Sequence, residues 1–170
     1  MRCIARATRS SDVTSRSRSS RVPATFTQLT DQPGPELYAS LSPDGKSFVY
    51  QSRAEGQWDI YVQWVRGRNP VNLTKDSMDD DTQPAFSPDG ERIAFRSGRE
   101  GGGIFVMGAT GENVKRLTDF GYSPSWSPDG REVVVTTGWF LRPEDVGTSA
   151  DGQLFRVNVV TGEVTSFPER

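Results

Sequence analysis

Short runs of apolar residues alternate with turn-forming residues over most of the chain, and this pattern predicts β-strands. The runs fall into two sets of three. The first set comprises Ser47–Tyr50, Arg92–Phe95 and Glu132–Val135, and the second comprises Asp59–Val62, Gly103–Val106 and Gln153–Val157. No segment of helical length shows a capped apolar period of about 3.6 residues. We therefore expect an all-β fold with almost no helix.

The sequence Ser-Pro-Asp-Gly occurs three times, beginning at Ser42, Ser87 and Ser127, which are 45 and 40 residues apart. Each copy follows a large apolar residue and precedes a strand of the first set. Proline presets φ for a type I turn, aspartate hydrogen-bonds to the local backbone, and glycine adopts a left-handed conformation that lets the hairpin continue. Each copy therefore predicts a hairpin between the first two strands of a unit.

Each unit continues with a second hairpin, a third strand and a short last strand, so four strands repeat every 40 to 45 residues. Antiparallel units of this period are the sequence signature of a β-propeller with one unit per blade. We predict three blades, at residues 36–74, 82–118 and 122–168, within a domain of residues 25–170. A leading strand at residues 25–30 resembles the last strand of a further blade.

Three blades are too few for a closed ring, because propellers typically close with about four to eight blades. Open blade faces and sheet edges invite pairing with other chains. Two explanations follow. The chain is a fragment of a longer propeller protein, which we favour because its N-terminal leader resembles a severed linker, or two copies assemble into a six-bladed ring.

The first 24 residues form a leader that differs in composition from the rest of the chain. They contain six arginines and six serines against a single acid, Asp12. Because such a segment buries too little apolar surface to fold alone, we predict that residues 1–24 are disordered. We interpret the leader as a solvated linker. The alternative is an arm that contacts nucleic acid or anionic lipid through charge, although no aromatic residue lies among the arginines to stack on bases.

Composition excludes several classes of catalytic site. The 170-residue chain contains no histidine and one cysteine, Cys3, and carries a net charge of −2. Serine–histidine and cysteine–histidine catalytic pairs, histidine-ligated metal sites and an intrachain disulfide are therefore impossible. The turn aspartates Asp44, Asp89 and Asp129 each have a structural role in a separate turn, so we do not expect them to be catalytic. We predict no catalytic residue, no cofactor and no metal ion.

The second unit carries a family resemblance. Its sequence Gln83–Ser97 (QPAFSPDGERIAFRS), followed by Ile104–Met107, resembles the WD-like repeat of TolB-type propellers. The same repeat builds the propeller domains of prolyl-oligopeptidase relatives and the extracytoplasmic propellers of some bacterial membrane kinases. The resemblance covers about residues 25–168. It implies a propeller fold, a non-catalytic surface for a protein, peptide or envelope component, and a location in the periplasm or beyond.

In a propeller, the loops that precede each first strand and those between the second and third strands emerge on one face. Here these loops are rich in charged and aromatic residues, and we predict that they form a rim that binds a partner. An insertion at residues 139–152 begins with three large apolar residues, which must either pack against a neighbouring blade or bind something. The candidate partner-binding residues are Arg53, Trp58, Asp79, Asp80, Asp81, Arg99, Trp139, Phe140 and Arg142.

Two groups of side chains also have structural interpretations. Asp79–Asp81 is the densest acid cluster, and Ca²⁺ takes about 6 to 8 oxygen ligands. Adjacent carboxylates on an extended strand point to opposite sides, so we predict a solvated acidic loop rather than a metal site. We assign Trp58, Trp64 and Trp126 mainly to packing between blades.

The leading functional hypothesis is a non-catalytic interaction module that binds a protein or peptide through its loop face, with self-association as a further option. The alternative is the propeller portion of a larger prolyl-oligopeptidase-like peptidase or membrane-bound kinase whose catalytic domain lies outside these residues. Neither a Gly-x-Ser-x-Gly elbow nor a kinase signature occurs here. No apolar run reaches about 18 residues and no signal peptide is apparent, so the expected periplasmic location rests on the resemblance. We expect no specific nucleic-acid partner.

Overall fold

The structure, a computed structural model, describes residues 27–138 and 152–166, and within them the fold is all-β. These residues form three four-stranded antiparallel sheets in sequential strand order, which we call blades 1, 2 and 3. Blade 1 comprises β1 (Glu36–Leu41), β2 (Ser47–Ser52), β3 (Asp59–Trp64) and β4 (Val71–Asn72). Blade 2 comprises β5 (Asp81–Phe86), β6 (Arg92–Ser97), β7 (Gly103–Gly108) and β8 (Lys115–Arg116), with a short 3₁₀ turn at Arg99–Gly101. Blade 3 comprises β9 (Tyr122–Trp126), β10 (Glu132–Thr136), β11 (Leu154–Asn158) and β12 (Val164–Ser166). The predicted partial propeller is confirmed.

The leading segment differs from its prediction. Residues 27–30 form no strand; Gln63 Nε2 of β3 instead donates to the Leu29 carbonyl oxygen at 2.6 Å. A strand requires a hydrogen-bonded neighbour, and the described part of the chain places none beside these residues. The rest of the predicted strand, the predicted disordered leader (residues 1–24) and all but the last residue of the insertion lie outside the described residues.

The three Ser-Pro-Asp-Gly turns share one hydrogen-bond pattern. In the first, Ser42 Oγ donates to Asp44 Oδ1 at 2.7 Å, and the Lys46 amide donates to the same oxygen at 3.0 Å. Gly45 has a φ of 68°, in the left-handed region that favours glycine. The other two turns repeat these bonds. Each copy joins the first two strands of its blade, as predicted.

The first strand of each blade contains a β-bulge that the sequence pattern does not reveal. Tyr38, Gln83 and Ser123 occupy equivalent positions and have φ values of 53°, 55° and 50°. The Gln83 amide donates to Gln51 Oε1 of blade 1 at 2.8 Å, and the Ser123 amide donates to Gln83 Oε1 of blade 2 at 2.7 Å. The bulges at Gln83 and Ser123 therefore turn backbone N–H groups toward the preceding blade and link the blades by hydrogen bonds.

The blades pack face to face through two apolar clusters. The first joins Val49 and Ile60 of blade 1 to Ile93, Phe95, Phe105 and Met107 of blade 2. The second joins Ala94 and Ile104 of blade 2 to Val133, Val135 and Val157 of blade 3. Truncation of one such phenylalanine to alanine typically costs about 3–5 kcal/mol. The packing between blades is thus a main source of stability in the described residues.

The three tryptophans assigned to this packing have different surroundings. Trp126 packs against the second cluster, and its Nε1 donates to the Ala85 carbonyl oxygen at 3.0 Å, as predicted. Trp58 is half-buried at the loop face. Trp64 is 63% exposed, so its assignment to the packing is wrong. It occupies the last position of β3, outside the cluster in which its strand neighbours Ile60 and Val62 are packed.

Candidate functional site

A cleft of about 400 Å³ opens at the loop face, where the first strands of the blades begin. All three blades contribute to it, blade 1 through Tyr38, blade 2 through Arg96 and blade 3 through Tyr122. Concave sites with aromatic walls and a few polar groups are the usual binding sites of proteins. The lining residues are Leu37, Tyr38, Gln51, Trp58, Asp80, Thr82, Gln83, Arg96, Gly98 and Tyr122.

Two of the sequence-predicted rim residues, Trp58 and Asp80, line this cleft and contact each other. The Trp58 amide donates to Asp80 Oδ1 at 3.0 Å, and the Trp58 carbonyl oxygen accepts from the Asp81 amide at 2.7 Å. Gln57 Nε2 adds a bond to the Ser77 carbonyl oxygen at 2.7 Å. The loop between β2 and β3 is therefore tied to the loop before β5. The Trp58 side chain is held at the cleft by a fixed backbone.

Asp81 is not a rim residue. Its side chain is fully buried, and its Oδ2 accepts from Arg99 Nη2 at 2.7 Å. Arg99 Nε also donates to Ser77 Oγ at 3.0 Å. Burial raises the pKa of Asp81, while a hydrogen bond with Ser97 and the adjacent Arg99 guanidinium act in the opposite direction. The expectation of three solvated carboxylates is wrong for Asp81, because β5 begins at this residue and directs its side chain inward.

Three further predicted rim residues, Arg53, Asp79 and Arg99, do not line the cleft. Arg53 is exposed and its Nε donates to the Gly56 carbonyl oxygen at 2.9 Å, within its own loop. Asp79 is exposed, and its amide donates to Ser77 Oγ at 3.2 Å. The Arg99 guanidinium forms its ion pair with the buried Asp81. Trp139, Phe140 and Arg142 lie outside the described residues.

Sequence reasoning missed two of the residues that shape the cleft most strongly, Arg96 and Tyr38. The Arg96 guanidinium lies 4.9 Å from the centre of the Tyr122 ring, a cation–π distance. Its Nη1 also donates to the Gly103 carbonyl oxygen at 3.1 Å. Tyr38 is 47% exposed and sits at the bulge of β1. The available signal was positional, since both residues lie at strand positions next to the loop face.

The described part of the chain offers little metal-binding or membrane-spanning chemistry. In residues 27–138 and 152–166, no group of three or more acidic, histidine or cysteine side chains is arranged to hold a metal ion. Within the same ranges, no helix has the length and apolar character needed to cross a membrane. The cleft itself presents aromatic surface, one guanidinium, one carboxylate and the polar side chains of Gln51, Thr82 and Gln83.

Comparison with known proteins places these features in a family. A model of the TolB β-propeller domain family matches residues 22–140. A solved structure from Agrobacterium tumefaciens, assigned as TolB, superposes with a TM-score of 0.70 at 29% identity, covering 81% of this chain and 50% of its own. TolB from Acinetobacter baumannii superposes with a TM-score of 0.61 at 28% identity, covering 76% of this chain and 31% of its own.

A peptidase also matches by sequence. The uncharacterized peptidase YuxL of Bacillus subtilis is 34% identical over 106 residues, which are 56% of this chain and 16% of that protein. The chain thus spans half or less of the length of each of these proteins.

Proposed function

This chain belongs to the TolB β-propeller domain family, and from that premise we propose that it is a non-catalytic interaction module that binds a protein or peptide. The observation that carries the proposal is the cleft at the loop face. Tyr38, Trp58 and Tyr122 supply aromatic surface, and Arg96 and Asp80 supply charge of both signs. Aromatic and arginine side chains contribute most of the binding energy at protein interfaces.

Selection of random peptides displayed on phage against the immobilised full chain tests this proposal. The selected peptides are then titrated against the variants Tyr38→Ala and Trp58→Ala. We expect each variant to weaken binding about tenfold or more, because truncation of an aromatic anchor commonly costs over about 1.4 kcal/mol. Arg53→Ala is the matched control on the same face. Peptides that bind all of these variants equally would show that the cleft is not the site.

A second candidate function is the propeller portion of a larger peptidase, which the match to YuxL favours. A membrane-bound kinase or regulator is the other form of this alternative. In both cases the catalytic domain would be encoded next to these residues. Sequencing of the flanking coding region is the test, since a nucleophile elbow or a kinase signature there would replace the non-catalytic proposal.

The outer face of blade 1 is a surface for a further blade. Leu41 is 59% exposed there, over the buried Phe48 and Tyr50, and borders a groove of about 440 Å³. A longer polypeptide or a second copy of this chain would supply the covering blade. Light scattering on the full chain distinguishes these two sources of the covering blade by molecular mass. A discrete dimer would favour the second copy.

Charge on blade 3 favours the longer polypeptide. A head-to-tail dimer would bring the outward face of blade 3 onto blade 1. On that face Arg156 Nε lies 3.4 Å from Glu132 Oε1. Arg156 lies opposite Val134 on the neighbouring strand. The equivalent pair in blade 2 is Val106 opposite Ala94, and both of these residues are apolar. Burial of this ion pair against leucine and phenylalanine side chains would carry a desolvation penalty.

The location we propose is the periplasm or another extracytoplasmic compartment. Membership of the TolB propeller family supports this. Fractionation of cells that produce the natural gene product, with detection by an antibody to this chain, is the test. Recovery of the protein in the cytoplasmic fraction alone would reject the proposal.

A further inference from the structure

The face opposite the cleft carries an exposed basic and aromatic patch on blade 1, formed by Lys46, Trp64, Arg66 and Arg68. We call it the turn-face patch. Trp64 is 63% exposed and the Lys46 side chain is 70% exposed. Arg66 and Arg68 are also exposed. Contiguous apolar surface rimmed by polar residues is typical of interaction sites.

Two hairpins of blade 1 build this patch. The Val65 amide donates to the Lys46 carbonyl oxygen at 2.8 Å, which joins the hairpin after β3 to the first Ser-Pro-Asp-Gly turn. A largely apolar groove of about 430 Å³ lies between them, lined by Gly45, Lys46, Trp64, Val65 and Arg66. The patch therefore combines a groove, an indole ring and cations on a hydrogen-bonded framework.

The exposure of Trp64 does not arise from a missing neighbouring blade. Trp64 lies on the same side of β3 as Ile60 and Val62, as its pairing with Ser47 shows. Ile60 and Val62 pack in the cluster shared with blade 2, which is in place. Leu41 differs in this respect, because its pairing with Phe48 places it on the open face on the other side of blade 1.

Two of the cations have no acidic partner within residues 27–138 and 152–166. Lys46 Nζ lies 3.1 Å from Asp44 Oδ2. Among the described residues, no carboxylate lies within 4.0 Å of the Arg66 or Arg68 guanidinium. The guanidinium groups of Arg66 and Arg68 therefore present positive charge that no carboxylate of the described residues pairs with.

The other two blades do not repeat the patch. The bond from Val65 to Lys46 recurs as Ala109 to Glu91 in blade 2 and as Val159 to Arg131 in blade 3. The equivalents of Trp64 are consequently Gly108 and Asn158, and those of Arg66 are Thr110 and Val160. An identical backbone with different side chains indicates that the basic and aromatic character is not needed for folding.

We propose that the turn-face patch docks on an anionic lipid surface. Tryptophan is enriched at membrane–water interfaces, where its indole ring has both an apolar body and a polar N–H. Lysine and arginine add attraction to anionic headgroups. Single-stranded nucleic acid fits less well, because its binding sites stack successive bases on several aromatic side chains, and the patch offers one.

Sedimentation of the full chain with lipid vesicles tests the proposal. We expect binding to phosphatidylglycerol vesicles, weakening with salt, and little binding to phosphatidylcholine vesicles. The double variant Arg66→Gln, Arg68→Gln is expected to lower partition into phosphatidylglycerol about tenfold or more. Arg131→Gln, the equivalent of Lys46 on the same face of blade 3, is the matched control and is expected to bind as wild type. Unchanged partition of the double variant would overturn the proposal.

Tryptophan fluorescence adds a readout specific to the patch. Insertion of Trp64 into the interface is expected to shift emission to shorter wavelength on addition of phosphatidylglycerol vesicles. Trp64→Phe is expected to lose this shift, and its circular dichroism spectrum checks that the fold is intact. A shift that persists in Trp64→Phe would reject Trp64 as the inserting residue.

Separate variants distinguish the patch from the arginine-rich leader and from a nucleic-acid site. Replacement of the six leader arginines by glutamine in the full chain is expected to leave the Trp64 shift in place. If the leader variant lost all vesicle binding and the Arg66→Gln, Arg68→Gln variant bound as the wild type does, the binding would be assigned to the leader. Displacement of the protein from vesicles by a single-stranded oligonucleotide, dependent on Arg66 and Arg68, would assign the patch to nucleic acid.

Discussion

In blades 1 and 2, the segment directly after the last strand is attached to the third strand through an equivalent threonine, but the two threonines have different neighbours. The Ile60 amide donates to Thr74 Oγ1 at 3.0 Å in blade 1, and the Ile104 amide donates to Thr118 Oγ1 at 3.2 Å in blade 2. Beside Thr74 stands Asp59, which accepts from its hydroxyl at 3.2 Å. Beside Thr118 lies Gly103.

These two positions have opposite requirements. In blade 1 the Asp59 carboxylate also accepts from Asn72 Nδ2 at 3.0 Å and so fixes β4 through side chains. In blade 2 a Cβ added to Gly103 would lie 1.9 Å from the Thr118 carbonyl oxygen. The backbones approach directly there, which only glycine permits. The two blades thus keep the same backbone arrangement at equivalent positions in different ways. Blade 1 uses the buried carboxylate of Asp59, and blade 2 uses a glycine that leaves room for the backbone.

The substitution Gly103→Ala should have the largest effect on this arrangement. Gly103 has a φ of +143°, and the added methyl group meets backbone atoms that cannot rotate away. We expect a loss of about 4 kcal/mol in the free energy of unfolding, from backbone strain and overpacking together. Urea denaturation monitored by circular dichroism measures it. Gly101→Ala is the matched control, because Gly101 also has a positive φ, +85°, but its added Cβ would meet no neighbouring atom within 4 Å; equal losses in the two variants would contradict the explanation.

Removal of the buried carboxylate at the start of blade 2 should have the next largest effect. Asp81→Ala leaves the Arg99 guanidinium without its partner at 2.7 Å. We expect the free energy of unfolding to fall by about 3 kcal/mol, as is usual when a buried ion pair loses one member. Thermal unfolding provides the measurement, with Asp79→Ala in the exposed part of the same loop as control. A melting temperature equal to that of the control would show that the pair is not stabilising.

Conversion of blade 1 to the blade 2 residue tests the comparison directly. Asp59→Gly removes the acceptor of the Thr74 and Asn72 side chains without relieving any close backbone contact. The expected loss is about 2 kcal/mol in the free energy of unfolding, from buried donors left unsatisfied. Urea denaturation is the measurement, and Asp76→Gly in the exposed loop after β4 is the control. Equal losses in Asp59→Gly and Asp76→Gly would mean that blade 1, like blade 2, needs no side chain at this position.

The smallest effect concerns acid stability of the matching turns. Hydrogen bonds from the Lys46 amide and the Ser42 hydroxyl hold the pKa of Asp44 at about 2, and the Ser87 hydroxyl chiefly lowers the pKa of Asp89. A carboxyl whose pKa is lowered on folding stabilises the protein above its unfolded pKa, and this is lost as the pH falls through its folded pKa. Melting temperatures should therefore fall less between about pH 4 and about pH 2 in Asp44→Asn than in the wild type. An identical pH dependence of the two proteins would contradict this assignment.

The strands and turns could be predicted because their causes are local. The alternation of apolar residues and the three Ser-Pro-Asp-Gly turns involve neighbours within a few positions in sequence. Nothing local marks the bulges at Tyr38, Gln83 and Ser123. The bulge amides of Gln83 and Ser123 donate to glutamine side chains of the preceding blade, 32 and 40 positions away.

The candidate site could be predicted only in part, and the errors have physical reasons. Trp58 and Asp80 line the cleft because they lie in the loops that meet at its mouth. Asp81 is one residue further on, and entry into β5 turns its carboxylate to the interior. Arg96 belongs to a strand, so a search of loops passes over it. The partner that places it at the cleft is Tyr122 of the next blade.

By itself the sequence determined the all-β class, the hairpin turns and the repeating four-stranded unit, because these depend on backbone preferences and on side-chain alternation along each strand. Only the tertiary structure decided which equivalent positions became buried or exposed. Asp59 and Gly103, or Trp64 and Gly108, are aligned by the repeat but surrounded by different atoms. Burial, contact and charge pairing depend on those surroundings, which are assembled from residues distant in sequence.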